Sequence, residues 1–206
     1  MRRFLLFFTM LIVICCCNPD KDLNPIIQVS NGSLEMAKTY GGSKNDVAKS
    51  VIATSDGGFA VLGYTQSIDG DVTEKSSENY DYWLLKFNSE ALLEWTKTYG
   101  GSGDDRGNQV IQTSDGGYVL IGYSDSSDGD VTINNGNRDF WVIKINATGA
   151  IIWEKSFGYS GADEGVSILE TSDNHFVLSG VLDVTASGGN GNTGRYSPSH
   201  AGGDYW

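Results

Sequence analysis

Residues 97–123 read KTYGGSGDDRGNQVIQTSDGGYVLIGY, and this stretch decides the fold prediction because the chain contains it more than once. Residues 38–64 read KTYGGSKNDVAKSVIATSDGGFAVLGY, and residues 155–181 carry a weaker copy, KSFGYSGADEGVSILETSDNHFVLSGV. The copies begin at residues 38, 97 and 155, so the repeat is about 58 residues long. One repeated structural unit is therefore expected to build the protein.

A second motif marks the later part of each copy. Asp81-Tyr82-Trp83 returns as Asp139-Phe140-Trp141 and as Asp204-Tyr205-Trp206. In the middle copy the glycine-rich turn at 114–117 separates two apolar runs, and a further turn at 146–149 separates two more. The pattern predicts four strands in each copy, which in the middle copy are Asn108–Thr113, Tyr118–Tyr123, Phe140–Ile145 and Ile151–Phe157.

The burial expected of these strands selects the architecture. The second and third strands, YVLIGY and FWVIKI, are almost continuously apolar, which indicates burial on both faces, whereas the fourth alternates. Lys38, Lys97 and Lys155 lie on that fourth strand, as suits an exposed edge. We predict an all-β fold, a β-propeller-like array of four-stranded antiparallel blades. A β-sandwich would alternate in every strand, and a β-helix coil would need a shorter repeat.

These motifs taken together resemble the SBBP-type β-propeller repeats of bacterial proteins. The resemblance runs from Leu34 to Trp206 and is carried by GGSGDD at 100–105, by the T-S-D-G-G turns, by D-G-D-V at 69–72 and 128–131, and by the D-Y-W starts. It implies a multi-blade propeller in a secreted or surface protein. Relatives sometimes described as endoglucanase or lectin-like give weak functional guidance, because a fold does not determine function.

The repeats predict about two and a half blades and a ring that is not closed. The predicted segments are 34–45 for a lone outer strand and linker, 46–104 for blade 1, 105–162 for blade 2 and 163–206 for an incomplete blade 3. Since blades bury their faces against neighbours, we expect an N-terminal fragment, a truncated product without function, or a chain completed by another chain.

The first residues predict export and lipid anchoring. Residues 1–16 carry two arginines and an apolar run too short to span a bilayer, as in a signal peptide. The aliphatic stretch ending in cysteine resembles a bacterial lipobox, which implies acylation at Cys17, or at Cys16 as the alternative, followed by a polar tether over 17–33. A plain signal peptide containing cysteines is the other interpretation. The expected location is the bacterial cell envelope, at the outer membrane, on either face.

Composition excludes several partners. The 206 residues hold 14 Lys and Arg against 26 Asp and Glu, a net charge of −12, which argues against nucleic-acid binding. The three cysteines all lie at 15–17, so the mature chain has no disulfide and no thiolate metal site. Its 27 glycines indicate many tight turns.

Acidic residues in the long loop of each copy are candidate Ca²⁺ ligands, since alternate carboxylates around a glycine can converge on that ion. They are Asp69, Asp71, Asp125, Asp128 and Asp130. A solvated acidic turn is the alternative interpretation, and the aspartates of the T-S-D turns at 56, 115 and 173 are assigned to the turns themselves.

The sequence favours a non-catalytic scaffold or binding module, with no catalytic residue assigned. The acidic residues recur in each copy, whereas a catalytic pair should be unique to one. Exposed tyrosines such as Tyr64, Tyr80 and Tyr123 could stack on sugars, and the inserted segment 186–203 breaks the repeat, which makes Arg195 and Tyr196 candidate ligand-binding residues. A polysaccharide-binding or polysaccharide-degrading surface protein is therefore the alternative, with a glycan or another envelope protein as partner.

Overall fold

The computed structural model describes residues 10–14, 34–183 and 204–205, and all regular structure in these ranges is β-strand. The all-β prediction is thus confirmed. No helix that could cross a membrane occurs in the ranges described. The strands are β1 Met10–Ile14, β2 Leu34–Thr39, β3 Asp46–Ala53, β4 Phe59–Thr65, β5 Asp81–Phe87, β6 Leu93–Tyr99, β7 Asp105–Gln112, β8 Tyr118–Ser124, β9 Asp139–Ile145, β10 Ile151–Phe157, β11 Glu164–Glu170, β12 Phe176–Leu182 and β13 Asp204–Tyr205.

Each of the two complete repeats forms one antiparallel four-stranded sheet in chain order. Sheet 1 contains β3, β4, β5 and β6, and sheet 2 contains β7, β8, β9 and β10. Sheet 3 contains β11, β12 and β13, and β1 pairs with β2 in parallel. All seven residues of β5, β8 and β9 are buried, whereas β6 and β10 are partly exposed, as the apolar patterns predict.

The strand boundaries of the middle copy lie within one residue of their predictions, with one exception. The first strand of the middle copy begins at Asp105 and not at Asn108, because Asp105 and Arg106 pair with Ser124 and Tyr123. A bulge between Gly107 and Gln109 separates this polar start from the apolar half of the strand. Asp105 and Arg106 are polar residues that pair at the loop end of the sheet, so the apolar pattern of the sequence does not reveal this part of the strand.

The T-S-D turns form tight hairpins in all three copies. Gly57 and Gly116 have φ values of 83° and 82°, and Asn174 takes this position in the third copy with φ 63°. The Asp56 carboxylate accepts the Gly58 N–H at 3.0 Å, and Asp115 accepts the Gly117 N–H at 2.9 Å. The predicted assignment of these aspartates to the turns agrees with these contacts.

The core consists of layers between sheets that pack face to face. Between sheets 1 and 2, Leu62 and Leu84 belong to the same buried cluster as Leu120 and Ile143. Between sheets 2 and 3, the cluster is formed by Val119, Ile121, Phe140, Val142 and Ile168, with Phe176 and Leu178 packed against it. The middle strands of sheet 2 are apolar on both faces because each face meets another sheet.

Candidate functional site

The linker between sheets 1 and 2 is held by carboxylates from the long loop of sheet 2. The N–H groups of Gly100 and Ser102 donate to Asp130 at 3.1 Å and to Asp128 at 2.7 Å. Gly101 N–H donates to the buried Asp105 at 2.8 Å. A glycine-rich linker exposes its backbone donors, and acidic side chains satisfy them with charge-assisted hydrogen bonds.

The same arrangement holds the linker that precedes sheet 1. Gly41 N–H donates to Asp71 at 2.9 Å, and Ser43 N–H donates to Asp69 at 2.8 Å. Gly42 N–H donates to Asp46 at 2.9 Å, as Gly101 does to Asp105. We call these carboxylate–linker contacts the linker latch of each sheet.

The candidate calcium ligands thus have a defined place in the structure. Asp69 and Asp71 lie in the latch of sheet 1, Asp128 and Asp130 lie in that of sheet 2, and Asp125 accepts the N–H of Asp104 beside it. Within the residues described, no three acidic or histidine side chains group closely enough to hold a metal ion. Calcium binding stays a prediction.

Sequence reasoning missed that the G-G-S linker and the D-G-D loop are partners. The signal was their constant spacing, because the bonded pairs lie 26 and 30 residues apart in both copies. Two recurring motifs at a constant separation can bind each other through hydrogen bonds. The spacing alone does not show this contact, which becomes visible only when the folded sheet places the two motifs side by side.

A polar pocket of about 360 Å³ opens between the long loops of sheets 1 and 2. This volume lies at the lower end of the range of about 300–1,000 Å³ found for ligand sites. Four carboxylates and one ammonium group face it, together with hydroxyl and backbone groups. The charged lining residues are Glu74, Lys75, Asp81, Asp128 and Asp130.

Lys75 and Asp81 form an ion pair that breaks the repeat. Their side chains are 1% and 11% exposed, and Lys75 Nζ lies 3.4 Å from Asp81 Oδ1. Burial raises the pKa of Asp81 to about 7, although the Lys75 charge opposes the rise. In sheet 2 the corresponding Asp139 accepts from the N–H and the Nδ2 of Asn135, at 2.8 and 3.1 Å. The ion pair is therefore specific to one of the two complete repeats, although the pocket that it lines also includes Asp128 and Asp130 of the other.

Two further buried lysines were not anticipated. Lys86 and Lys144 lie at the same position of β5 and β9, and their ammonium groups reach the turn carboxylates Asp56 and Asp115 at 2.7 Å each. Glu94 also accepts from Lys86 at 2.8 Å. The signal was a lysine inside an otherwise apolar strand in both copies, which requires a partner at that depth.

The tyrosines considered for sugar stacking are in contact with arginines. The Arg106 guanidinium lies 4.1 Å from the ring centre of Tyr80 and 5.1 Å from that of Tyr64. Arg138 lies 4.4 Å from the ring centre of Tyr123, which is buried. These rings pack as cation–π pairs at the loop end of the sheets and present little open face to a ligand.

The remaining site predictions lie outside the described residues. These are the acylation at Cys17 or Cys16 and the ligand contacts of Arg195 and Tyr196. No model of a known protein family matches the chain, and no curated protein is similar enough to count as a relative. Function must therefore be argued from the geometry itself.

Proposed function

We propose that this chain is a lipid-anchored protein of the bacterial envelope whose repeat sheets act as a non-catalytic scaffold or binding module. The observation that carries the proposal is the linker latch, because it engages the recurring carboxylates in backbone contacts. Asp71 and Asp130 accept equivalent glycine N–H groups in the two copies. A structural role explains such recurrence, whereas catalysis would require a residue found in one copy only.

The arrangement of the sheets supports a propeller-like array of blades. Three sheets follow one another in chain order, the first strands of sheets 2 and 3 lie against the preceding sheet, and the linkers that enter sheets 1 and 2 are held by their latches. Membership of the SBBP-type repeats is part of this proposal, since it rests on the motifs of the sequence. Small-angle scattering of the purified chain tests it, because radially arranged blades and a flat stack of sheets give different scattering profiles.

Lipid anchoring at Cys17 is tested by intact-mass spectrometry of the membrane fraction. Acylation predicts a mature chain that begins at Cys17 and carries the added mass of its acyl chains. Cys17→Ser should abolish both the mass increase and the retention in the membrane, and Cys16→Ser should leave both unchanged. The reverse result would move the anchor to Cys16, and a chain without acyl mass would leave only a signal peptide.

A second candidate function is polysaccharide binding in the pocket between the long loops of sheets 1 and 2. Its support is the ring of carboxylates beside Lys75, because carboxylates accept hydrogen bonds from sugar hydroxyl groups. Affinity electrophoresis against a panel of polysaccharides tests it, with Glu74→Gln and Asp81→Asn as pocket variants. Asp139→Asn is the matched control, since Asp139 occupies the same strand position outside the pocket. Release of reducing ends would indicate a hydrolase, and binding without release would indicate a lectin-like module.

A further inference from the structure

The two ends of the row of sheets expose complementary faces. We call the face that each sheet turns toward the preceding sheet its leading face, and the opposite face its trailing face. Val51 on the leading side of β3 is 67% exposed, whereas the equivalent Val110 and Ile168 are 0% and 3% exposed beneath the sheets before them. The leading side of sheet 1 is therefore open along β3.

The trailing face of sheet 3 is open in the same way. Leu169 and Val177 form a cross-strand pair and are 52% and 53% exposed. The equivalent pair in sheet 2 is Ile111 and Val119, which packs in the cluster shared with sheet 3, with Val119 fully buried. The side of sheet 1 along β3 and the trailing face of sheet 3 thus correspond to surfaces that meet at the two internal interfaces, while Val61 and Leu85 on the leading face of sheet 1 are already covered in a cluster with Tyr40.

The sizes of the side chains at the two open faces also match. A Cβ atom added at Gly107 would lie 3.0 Å from Leu62 and from the Gly63 carbonyl oxygen, and one added at Gly165 would lie 2.5 Å from Ile121, so the internal interfaces are tight here. Sheet 1 has Ala48 at this position, paired with Gly63 as Gly107 is with Gly122. Sheet 3 has Ser179 where the other sheets have Leu62 and Ile121. If sheet 3 of one copy packed on sheet 1 of another, the methyl group of Ala48 would face Ser179, which is smaller than the Leu62 or Ile121 of the internal interfaces.

A hydrogen-bond position recurs as well. Across the internal interfaces, Val110 N–H donates to Ser50 Oγ at 3.3 Å, and Ile168 N–H donates to Gln109 Oε1 at 2.6 Å. The equivalent acceptor on sheet 3 is Ser167, and the equivalent donor on sheet 1 is the Val51 N–H. A second internal contact, from Ser55 N–H to Gln112 and from Ser114 N–H to Glu170, has no counterpart at the open faces, because sheet 1 carries Ala53 at the acceptor position.

We propose that two copies of this chain associate head to tail, with the trailing face of sheet 3 of one copy packed on the leading side of sheet 1 of the next. Leu169 and Val177 provide the apolar contact, Val51 enters it from the other copy, and Ala48 packs against Ser179. The contact is heterologous, because different surfaces of the two copies meet. It depends on the packing of the sheets and not on glycan binding or on the lipid anchor.

A mixing experiment tests the head-to-tail contact. The full chain is purified in detergent, and native mass spectrometry measures its oligomers across the micromolar range. Val51→Asp blocks the leading side and Val177→Asp blocks the trailing face, each weakening self-association about tenfold or more, since an unpaired carboxylate is buried. Ile152→Asp is the matched control, because Ile152 is 56% exposed but lies on the outer strand of sheet 2.

The proposal expects oligomers of the unchanged chain and of Ile152→Asp, and monomers of each blocked variant alone. A mixture of Val51→Asp and Val177→Asp should form one-to-one heterodimers, since each variant keeps the face that the other lacks. Heterodimers would also show that both variants fold. A monomeric unchanged chain, self-association of either blocked variant at the unchanged level, or failure of the mixture to pair would each overturn the proposal.

Discussion

The hydroxyl group of Tyr82 donates a 2.9 Å hydrogen bond to the main-chain carbonyl oxygen of Trp141 in the next sheet. Their rings also pack edge to face, with centroids 4.8 Å apart, and both side chains are almost fully buried. The two residues lie at neighbouring positions of the same motif, D-Y-W in β5 and D-F-W in β9. The motif that starts the third strand therefore joins one sheet to the next.

Replacing Tyr82 with phenylalanine should lower the free energy of unfolding by about 1–2 kcal/mol, because the buried Trp141 carbonyl loses a donor. A phenylalanine ring suits this strand position, since the second copy carries Phe140 there. Urea denaturation of the full chain measures the change. An unaltered midpoint would mean that the hydrogen bond contributes nothing to the contact between sheets.

The buried lysines should show an asymmetry between partners. Asp115→Ala leaves the ammonium group of Lys144 buried, with Thr113 as its remaining acceptor in the part of the chain that the structure describes, at a cost of about 2 kcal/mol. Lys144→Met should cost less, because the exposed Asp115 carboxylate can be solvated instead. Thermal unfolding of both variants gives the comparison, and a larger loss for Lys144→Met would contradict it.

The linker latch should be visible in hydrogen exchange. Asp130→Ala removes the acceptor of the Gly100 N–H, so we expect this amide to exchange about tenfold faster or more, as the loss of one hydrogen bond implies. Asp71→Ala is the matched control, because it should release Gly41 in the other latch and leave Gly100 unchanged. Equal protection of Gly100 in all three chains would show that the latch does not hold the linker.

Stability should fall as pH rises from about 4 to about 7. Burial raises the pKa of Asp81 to about 7, with Lys75 opposing the rise and the negative Asp105 and Asp130 adding to it. The folded chain then holds a proton that the unfolded chain has released above about pH 4, so raising the pH favours unfolding. Asp81→Asn should flatten the profile between about pH 4 and 7, as measured by urea denaturation. An identical slope in the variant would exclude Asp81 as the source.

Calcium removal should leave the melting temperature unchanged if the latch carboxylates serve only the linkers. Asp69, Asp71, Asp128 and Asp130 each accept a backbone N–H, which already offsets part of their charge. Thermal unfolding with chelator and with added CaCl₂ makes the comparison, with MgCl₂ as the control. A rise in melting temperature specific to calcium would instead establish the metal site that the acidic loops suggest.

The strands were predictable because their signals are local. Continuous apolar character marks β8 and β9 as buried on both faces, and the T-S-D-G-G sequence specifies a hairpin through the positive φ at Gly116. The hydrogen bond between the Gly100 N–H and Asp130 was not predicted, because the sequence contains both motifs but does not indicate that they are in contact. Acidic residues at alternate positions fit a metal site and a backbone latch equally well until the loop is placed beside the linker.

The sequence alone determined that this protein is built from strands in a repeat of about 58 residues, because side-chain polarity and turn residues act over a few positions. Tertiary structure decided which repeated residues meet. The contact of Tyr82 with Trp141, the ion pair of Lys75 with Asp81 and the open faces at Val51 and Val177 depend on how the chain folds back and how whole sheets pack. Local polarity sets whether a strand is buried, but only the packing of sheets sets what covers it.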